Sequence, residues 1–468
     1  MAYLRISKHY IHLPYLILGM VEGVVFVCSM FIGAHLRFIG APESLAALGP
    51  LMPRAAVFAV VMLVCMLSIG VYQARMNQGL SGVMLRTAVS FLFGALGLAV
   101  IFYLFPNLFL GRGIVATAAV LAFVSVWFIR YLFVYKLRFD LLKRRVLVLG
   151  NGYRAKNLYD RLGDNSARAS IVVVGFVSLD QTTKNQVPDE TITDLQGKTL
   201  HQYAVDNDIQ EIVVALDDRR KSIPIDGLLN CKLTGIEILD VLSFFERETG
   251  RVIVDLLHPS WLVFSDGFTT ARLQVLIKRL MDFVASALLL VVFWPFMLLT
   301  AIAIKIEDGV EGKVFYKQER VGLNGKIFWV YKFRSMGKDA EKGGAQWAST
   351  NDVRVTKVGR FIRQYRIDEL AQIFNVLRGD MAIVGPRPER PVFVDRLTEV
   401  VPYYSERHRV KPGVTGWAQL CYPYGASDED SKNKLEYDMY YAKNNSILLD
   451  LLILMRTVEV ILFGTGAR

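Results

Sequence analysis

The sequence predicts a membrane protein of the membrane α plus α/β class, with three parts in chain order. These are a four-helix transmembrane bundle over residues 1–140, a parallel α/β domain over 145–260 and a mostly helical domain over 270–468. Hydrophobic residues make up 53% of the chain and the mean hydropathy is +0.35, as expected for a membrane protein with soluble parts. Long apolar runs followed by alternating strand-like and helix-like segments give the order of the parts.

Each of four apolar runs is close to the roughly 20 residues that a helix needs to span a bilayer. The runs are 14–36, 51–71, 87–110 and 114–134. Basic residues precede the first run, separate the second from the third and follow the fourth. They include Arg5, Lys8, Arg75, Arg86, Lys136 and Arg138. Because cytoplasmic loops carry the excess of positive charge, we expect the N-terminus and the segment after residue 136 to lie in the cytoplasm.

The region 145–260 alternates strands with helical stretches, the pattern of a parallel α/β domain. Its first strand runs into a glycine turn, GNGYRA at 150–155, of the kind that holds a pyrophosphate at a helix N-terminus in Rossmann-like domains. Asp180 is the candidate acidic partner of a ribose, and Arg154 and Lys156 could contact a nucleotide. The domain has no Tyr-Lys pair at short helical spacing, so we favour a Rossmann-like scaffold without cofactor and without a catalytic role.

A fifth apolar run, Met281–Ile304, contains Pro295 and has basic residues on both flanks. Proline removes a backbone hydrogen bond and kinks a helix, and positive charge on both sides disagrees with a crossing from one face to the other. A kinked, re-entrant helix over 276–305 that enters and leaves on the same face satisfies both observations. An ordinary tilted span stays open as the alternative, because transmembrane helices tolerate proline.

The last apolar stretch, 446–463, is interrupted by Asp450, Arg456 and Glu459. These charges predict a helix that lies at the membrane interface or packs on the C-terminal domain, rather than one that spans the bilayer.

An acidic pair, Asp368-Glu369, precedes an apolar helical repeat that Gly379 ends. Free backbone N–H groups and the helix dipole at such a position favour phosphate and an ionised carboxylate. The simpler interpretation of Asp368 is an N-cap. Neighbouring basic side chains, one of them in a rigid Pro-Arg-Pro triplet, favour a phosphate site, because guanidinium groups bind phosphate oxygens in pairs. The basic residues are Lys332, Arg334, Arg363, Arg366 and Arg387.

Two adjacent carboxylates without a neighbouring histidine favour Mg²⁺-assisted phosphoryl chemistry, because Mg²⁺ prefers carboxylate, phosphate and water oxygens. One carboxylate would attack phosphorus while the other holds the metal. The net charge of +11 favours anionic lipid headgroups and phosphorylated substrates. The basic residues lie beside apolar spans, which argues against nucleic acid as a partner, and the four cysteines lack zinc-ligand spacing.

From about Gln274 to Gly466 the chain resembles the bacterial sugar transferase family, the polyprenyl-phosphate hexose-1-phosphate transferases. The matching motifs are Lys278-Arg279 with Asp282, Pro295, QERVG at 318–322, KFRSM at 332–336, Arg363 with DEL at 368–370, GPRP at 385–388, and KPG at 411–413 with Thr415-Gly416. The four apolar runs and the Rossmann-like domain resemble the large members, which start capsule, O-antigen or exopolysaccharide assembly. Many members have serine before the kink proline; this chain has Trp294, so hydrogen bonding at the kink must differ.

The resemblance implies a monotopic catalytic domain on the cytoplasmic face of the bacterial inner membrane, anchored by a re-entrant helix broken at Pro295. Asp368 would attack the β-phosphate of a UDP-sugar and release UMP, and polyprenyl (undecaprenyl) phosphate would then accept the phosphosugar. Glu369 would bind Mg²⁺. The phosphate-binding candidates are Lys332, Arg334, Arg363 and Arg387. The extra α/β domain favours a homodimer, and the sequence does not say which sugar is transferred.

Two other functions stay open on sequence alone. One is an NAD-dependent sugar-nucleotide-modifying enzyme that acts through the Rossmann-like domain, which requires NAD binding and a catalytic Tyr/Lys set. The other is a non-enzymatic polysaccharide-export or regulatory membrane protein whose basic block binds lipid headgroups. The second leaves the ordered glycine, proline and Asp-Glu motifs unexplained.

Overall fold

The structure is a computed structural model that forms two compact units, Met1–Gly250 and Arg251–Arg468. The division into three domains stays a prediction. Among the residues named above, Lys8, Arg75, Lys136, Arg138, Asp180 and Gly466 lie outside the described residues. The structure describes residues 3–6, 9–41, 43, 45, 49–72, 80–109, 111–135, 143–162, 171–179, 184–218, 223–268, 271–309, 312–337, 354–422, 425 and 427–463.

The first unit begins with a two-stranded antiparallel hairpin and four long helices. They are β1 (Tyr3–Ile6), β2 (His9–His12), α1 (Leu13–Arg37), α2 (Leu51–Ser68), α3 (Leu80–Leu104) and α4 (Arg112–Tyr135). Each of these four helices is long enough and apolar enough to cross a membrane. Three of these helices match predicted apolar runs within three residues at each end. The helix Leu80–Leu104 begins seven residues before the predicted run 87–110 and ends six residues before its end.

A buried ion pair holds three of these helices together. Arg130 of α4 donates from Nε to Glu22 Oε1 of α1 at 2.6 Å and from Nη2 to Oε2 at 2.8 Å. Its Nη1 donates to Thr87 Oγ1 of α3 at 3.2 Å, and both charged side chains are almost fully buried. Charges inside an apolar bundle persist only when they are paired, so α1 and α4 depend on each other for this contact.

The rest of the first unit is a parallel four-stranded sheet with helices, as the alternating pattern predicts. Its strands are β3 (Arg144–Leu149), β4 (Ile171–Val177), β5 (Glu211–Val214) and β6 (Glu237–Asp240), in the order β4-β3-β5-β6. The helices are α5 (Tyr153–Leu162), α6 (Leu200–Asp206), α7 (Ile225–Leu233) and α8 (Val241–Thr249). The two central strands are buried nearly throughout, which explains their continuous apolar sequence.

The second unit combines many short elements with one very long helix. Its helices are α9 (Pro259–Phe264), α10 (Arg272–Asp308), α11 (Lys357–Gln364), α12 (Ile373–Arg378), α13 (Pro391–Val400), α14 (Trp417–Cys421), α15 (Asp428–Asn444) and α16 (Ile447–Phe463). Its strands form an antiparallel hairpin, β7 (Phe315–Val321) with β8 (Ile327–Phe333), and a parallel pair, β9 (Ala382–Val384) with β10 (Gly413–Thr415). Its main core joins apolar residues of β9, α13, α15 and α16.

Helix α10 is uninterrupted over 37 residues and contains Pro295. It extends beyond the predicted bounds 276–305 and is helical on both sides of Pro295. The kink at Pro295 and the re-entrant path stay predictions. At 1.5 Å per residue it is about 55 Å long, against a bilayer core of about 30 Å. Apolar side chains along it are exposed, including Leu288, Val291 and Trp294. It is therefore a fifth helix that is apolar enough to enter a membrane.

Both ends of α10 are attached to the rest of the second unit. Near its start, Arg279 Nη2 donates to the carbonyl of Leu377, the penultimate residue of α12, at 2.6 Å. Near its end, Glu307 Oε1 accepts from the backbone N–H of Lys357, the first residue of α11, at 2.8 Å. Since α11 and α12 flank one short stretch of chain, the two ends of the apolar helix contact neighbouring parts of one compact unit.

Helix α16 packs against the second unit at its first turn. Asp450 is buried and accepts hydrogen bonds from Lys278 Nζ at 2.6 Å and from the Tyr441 hydroxyl at 2.7 Å. Of the two placements predicted for 446–463, the structure shows packing on the C-terminal unit.

Candidate active site

The acidic pair lies in a short 3-10 helix, Ile367–Gln372, which continues directly into α12. The N-cap of this helix is Arg366, with a positive φ of 55°, so the N-cap interpretation of Asp368 is wrong. The α-helix predicted to begin at the acidic pair begins later, at Ile373, and ends as predicted at Gly379.

Glu369 is nearly buried and is surrounded by cations. Its Oε1 accepts from Arg387 Nη2 at 2.6 Å and from Lys332 Nζ at 3.2 Å. Its Oε2 lies 3.9 Å from Arg366 Nη1. Burial raises the pKa of Glu369, but Arg387 and Lys332 outweigh it and the net pKa lies well below the ordinary value. The direction of this shift favours the ionised form of Glu369.

Asp368 is also buried, with 8% of its surface exposed. Burial raises its pKa, Lys332 opposes that rise and the charge on Glu369 adds to it. Arg363 and Arg387 lower the pKa by smaller amounts. In the part of the chain that the structure describes, no hydrogen bond reaches the Asp368 carboxylate. A carboxylate that is desolvated, raised in pKa and not hydrogen-bonded is a better nucleophile than a solvated one.

A buried asparagine fixes the position of Lys332 relative to the acidic pair. Asn375 of α12 is fully buried. Its Oδ1 accepts from the backbone N–H of Tyr331 at 3.0 Å, and its Nδ2 donates to the carbonyl of Trp329 at 2.7 Å. The side-chain amide of Asn375 thus makes the pair of backbone hydrogen bonds that a neighbouring strand would make with β8. These bonds lie next to Lys332 in the strand. Sequence analysis missed Asn375; a polar residue within the apolar repeat of α12 was the available signal.

Two arginines hold the backbone of the loop that carries Arg387. Arg407 Nη2 donates to the carbonyl of Arg387 at 2.9 Å and to Asp438 Oδ2 at 2.7 Å. Arg320 Nη1 donates to the carbonyl of Pro388 at 3.0 Å. Arg407 and Asp438 are both buried, so this clamp is rigid. Neither residue was a candidate on sequence alone, because the chain contains many arginines and only the fold brings Arg407 to this loop.

A close approach of two loops requires glycine at the start of the same Pro-Arg-Pro segment. A Cβ atom on Gly385 would lie 2.2 Å from the carbonyl oxygen of Lys411. The GPRP and KPG motifs are therefore neighbours in space.

The four predicted phosphate-binding residues differ in their contacts. Lys332 and Arg387 bond Glu369 directly, and Arg363, in α11, acts electrostatically on Asp368. Arg334 donates from Nε to the carbonyl of Met336 at 3.2 Å, a contact that supports the chain after β8. The structure thus shows Lys332, Arg363 and Arg387 acting on the acidic pair.

The donor set fits a magnesium ion of the kind that substrate phosphates help to bind. Among the described residues, no group of three or more histidine, cysteine, aspartate or glutamate side chains converges. Mg²⁺ needs only one or two carboxylates when phosphates and water complete its shell. Glu369 Oε2 is beyond hydrogen-bond distance from Arg366, so one oxygen of that carboxylate can accept a metal.

Comparison with known proteins places this site in a family. Residues 273–464 match the family model described as bacterial sugar transferase. An uncharacterized sugar transferase of Bacillus subtilis is 41% identical over 198 residues, which cover 42% of this chain and 91% of that protein. The chain belongs to the bacterial sugar transferase family.

Longer relatives match less of their own length. A UDP-N-acetylgalactosamine-undecaprenyl-phosphate N-acetylgalactosaminephosphotransferase of Aeromonas hydrophila is 45% identical over 241 residues, 52% of this chain and 56% of that protein. An undecaprenyl-phosphate glucose phosphotransferase of Komagataeibacter xylinus is 42% identical over 334 residues, 70% of this chain and 60% of that protein. The alignments thus span little more than half of these two sugar transferases, and the two relatives are named for different sugars.

A carboxylate of the chain itself occupies the glycine turn at residues 150–155. Asp217 accepts from the backbone N–H groups of Tyr153 at 2.8 Å and Arg154 at 2.9 Å, at the start of α5. Gly150 has a φ of 123°, and a Cβ atom there would lie 2.5 Å from the carbonyl oxygen of Ala215. A carboxylate takes the donors that a pyrophosphate would use, which favours the predicted scaffold without cofactor.

Proposed function

We propose that this chain transfers a hexose-1-phosphate from a UDP-sugar to undecaprenyl phosphate through a covalent intermediate on Asp368. The observation that carries the proposal is a buried, raised-pKa carboxylate beside a glutamate that Lys332 and Arg387 hold. The names of the relatives in Aeromonas and Komagataeibacter support undecaprenyl phosphate as the acceptor. The product would start assembly of an exopolysaccharide, capsule or O-antigen.

In the first step, an oxygen of the Asp368 carboxylate attacks the β-phosphorus of the UDP-sugar. The bond from that phosphorus to the oxygen bridging the two phosphates breaks, and UMP leaves with the electron pair. The sugar phosphate is then joined to Asp368 as an acyl phosphate. In the second step, a phosphate oxygen of the lipid attacks the same phosphorus, and the Asp368 carboxylate leaves. The product is a polyprenyl-diphospho-sugar.

The cations beside the pair have two tasks in this scheme. They keep Glu369 ionised, as its lowered pKa indicates, and they offset the charge that accumulates when an anionic nucleophile meets an anionic diphosphate. Arg387 is suited to the second task because its loop is clamped by Arg407 and Arg320. A donor that does not move during reaction stabilises developing charge without reorganisation.

Glu369, the residue after the nucleophile Asp368, would hold Mg²⁺. When bound, the ion would neutralise charge on the diphosphate and on the departing UMP. Removal of divalent cations with EDTA should therefore abolish UMP release, and added Mg²⁺ should restore it.

We further propose a bacterial inner-membrane protein with its catalytic and Rossmann-like parts on the cytoplasmic face. The excess of positive charge after α4 supports this orientation. Attachment of both ends of α10 to the same compact unit supports a helix that enters and leaves one membrane face. A homodimer stays a prediction, to be tested by the mass of the detergent-solubilised protein.

The test is UMP release by purified protein supplied with undecaprenyl phosphate, Mg²⁺ and a panel of UDP-sugars. UDP-N-acetylgalactosamine and UDP-glucose are tested first, because the names of two relatives contain these UDP-sugars. Release with one sugar, absent in Asp368→Asn, is the expected result. An active Asp368→Asn variant would remove the nucleophile assignment, and failure with every sugar would count against the proposed reaction.

A further inference from the structure

An apolar groove lies between the C-terminal half of α10 and helix α11. It has a volume of about 490 Å³, within the range of small-molecule sites. One wall consists of Phe296, Leu299 and Ala303. Its lining also includes Ile367, the residue directly before Asp368. One peptide bond therefore joins a residue of the groove lining to the proposed nucleophile.

The opposite wall is the apolar face of α11. Val358, Phe361 and Ile362 line the groove, while the next residue on α11, Arg363, acts on Asp368. One short helix thus offers an apolar surface to a chain and a guanidinium to a phosphate. This pairing matches an amphiphile whose charged end is at Asp368 and whose hydrocarbon end follows α10.

Polar groups in the groove are few and are directed elsewhere. Thr300 donates its hydroxyl to the carbonyl of Phe296 at 2.8 Å. Lys357 is the charged residue of the lining, and its side chain is exposed. Phe296, Leu299 and Phe361 are each more than half exposed. Large apolar surface of this kind marks a site that an apolar partner covers.

We propose that this groove binds the isoprenoid chain of the acceptor lipid next to its phosphate. The inference rests on the proposed function, because it assigns a place to that reaction's second substrate. Ordinary acyl chains of the bilayer could cover the outer part of α10, but they have no reason to reach Ile367. The acceptor does, since its phosphate must come within bonding distance of the phosphorus held at Asp368.

The test fills the groove and separates the acceptor step from the donor step. Ala303→Trp places an indole in the groove; Leu288→Trp is the matched control, because Leu288 is on the same helix, is 66% exposed and is not in the lining. Initial rates of UMP release are measured over a range of undecaprenyl phosphate and of UDP-sugar concentrations. The single-turnover release of UMP without acceptor is measured separately, because the proposed first step does not involve the lipid. Both variants are first compared with wild type by thermal unfolding.

We expect Ala303→Trp to raise the KM for undecaprenyl phosphate at least tenfold, the effect of losing roughly two buried methylene groups. The KM for the UDP-sugar and the single-turnover release of UMP without acceptor should stay within twofold of wild type, and Leu288→Trp should match wild type throughout. An equal loss in the release of UMP without acceptor would overturn the groove assignment, because it indicates damage to the active site. An unchanged KM for undecaprenyl phosphate would overturn it as well.

A second measurement does not depend on a variant that folds. A benzophenone-bearing isoprenoid phosphate is photolysed with the wild-type protein, and the labelled peptides are identified. Labelling of the peptide that holds Phe361 and Ile362, suppressed by excess undecaprenyl phosphate but not by excess phospholipid, supports the groove. Labelling elsewhere, or equal suppression by phospholipid, refutes it. Wild-type protein that releases no UMP with any donor would instead signal failure of the proposed reaction itself.

Discussion

Replacement of Arg387 by alanine tests whether the cations beside Glu369 contribute to turnover. The Nη2 atom of Arg387 lies 2.6 Å from Glu369 Oε1, and 32% of the arginine side chain is exposed, against 12% for the glutamate. A hydrogen bond to a charged group contributes about 1.5–3 kcal/mol. The exposure of Arg387 and the remaining contact from Lys332 at 3.2 Å favour the lower part of that range.

A loss of about 1.5–2 kcal/mol corresponds to a decrease in kcat/KM of roughly 10- to 30-fold. We expect a lower kcat as well as a higher KM for the UDP-sugar, because in the proposed scheme the guanidinium binds the substrate phosphates and offsets the charge that develops on them. Arg387→Lys should recover only part of the loss, since an ammonium cannot reproduce the planar fork of donors. The assay is the initial rate of UMP release over a range of UDP-sugar concentrations at saturating Mg²⁺ and acceptor.

Arg378→Ala is the matched control for this prediction. Arg378 is on neighbouring helix α12, its side chain is 69% exposed, and its ion pair with Asp380 measures 3.8 Å. Exposed pairs of this kind contribute about 0–1 kcal/mol, so this variant should stay within a few-fold of wild type. If Arg387→Ala, correctly folded, were no slower than Arg378→Ala, the proposed contribution of Arg387 would be refuted.

The remaining predictions concern the nucleophile, its pKa, the clamp and the glycine turn. Asp368→Asn should abolish UMP release while leaving the thermal unfolding curve in place; measurable turnover would contradict the covalent scheme. Because Asp368 must be ionised to attack and its pKa is raised, activity should fall with decreasing pH sooner than for an ordinary aspartate. Lys332→Met removes a charge that lowers that pKa, so the acid limb of its pH–rate profile should move to higher pH, and an unmoved limb would count against the assignment. Arg407→Lys should lower kcat/KM, because it loses one charge-assisted hydrogen bond, a contact that contributes about 1.5–3 kcal/mol. Added to Arg387→Ala, the same change should lower kcat/KM little further; additive losses in the double mutant would mean that Arg407 does not act through Arg387. Asp217→Ala should lower the melting temperature, because it removes a carboxylate that accepts from two backbone N–H groups, and it should not create NAD affinity. Tight NAD binding by wild-type protein in a calorimetric titration would support the alternative of an NAD-dependent sugar-nucleotide-modifying enzyme.

Elements with strong periodicity were predictable from sequence, because their apolar pattern does not depend on distant residues. The four apolar helices of the first unit and the parallel strands β3 to β6 are of this kind. The start of the helix at the acidic pair was not predictable. Arg366 adopts a positive φ and a 3-10 helix precedes α12, an arrangement that the packing against β8 imposes on a sequence with ordinary helical spacing.

The ion pair between Glu22 and Arg130 shows the same limit in the membrane part. Each residue alone is one charge in an apolar run, and 108 positions separate them. Only the packing of α1 against α4 brings them within 2.6 Å.

The sequence by itself determined the chemical inventory of this protein: apolar helices, a parallel α/β region, an Asp-Glu pair and the basic motifs that accompany it. These are local properties of composition and order. Tertiary structure alone decided which basic residues meet the pair, that Asn375 and Arg407 hold two of them in place, and that Asp217 occupies the glycine turn. It decided them because hydrogen bonds between residues far apart in the chain depend on how strands, loops and helices pack, which no local pattern specifies.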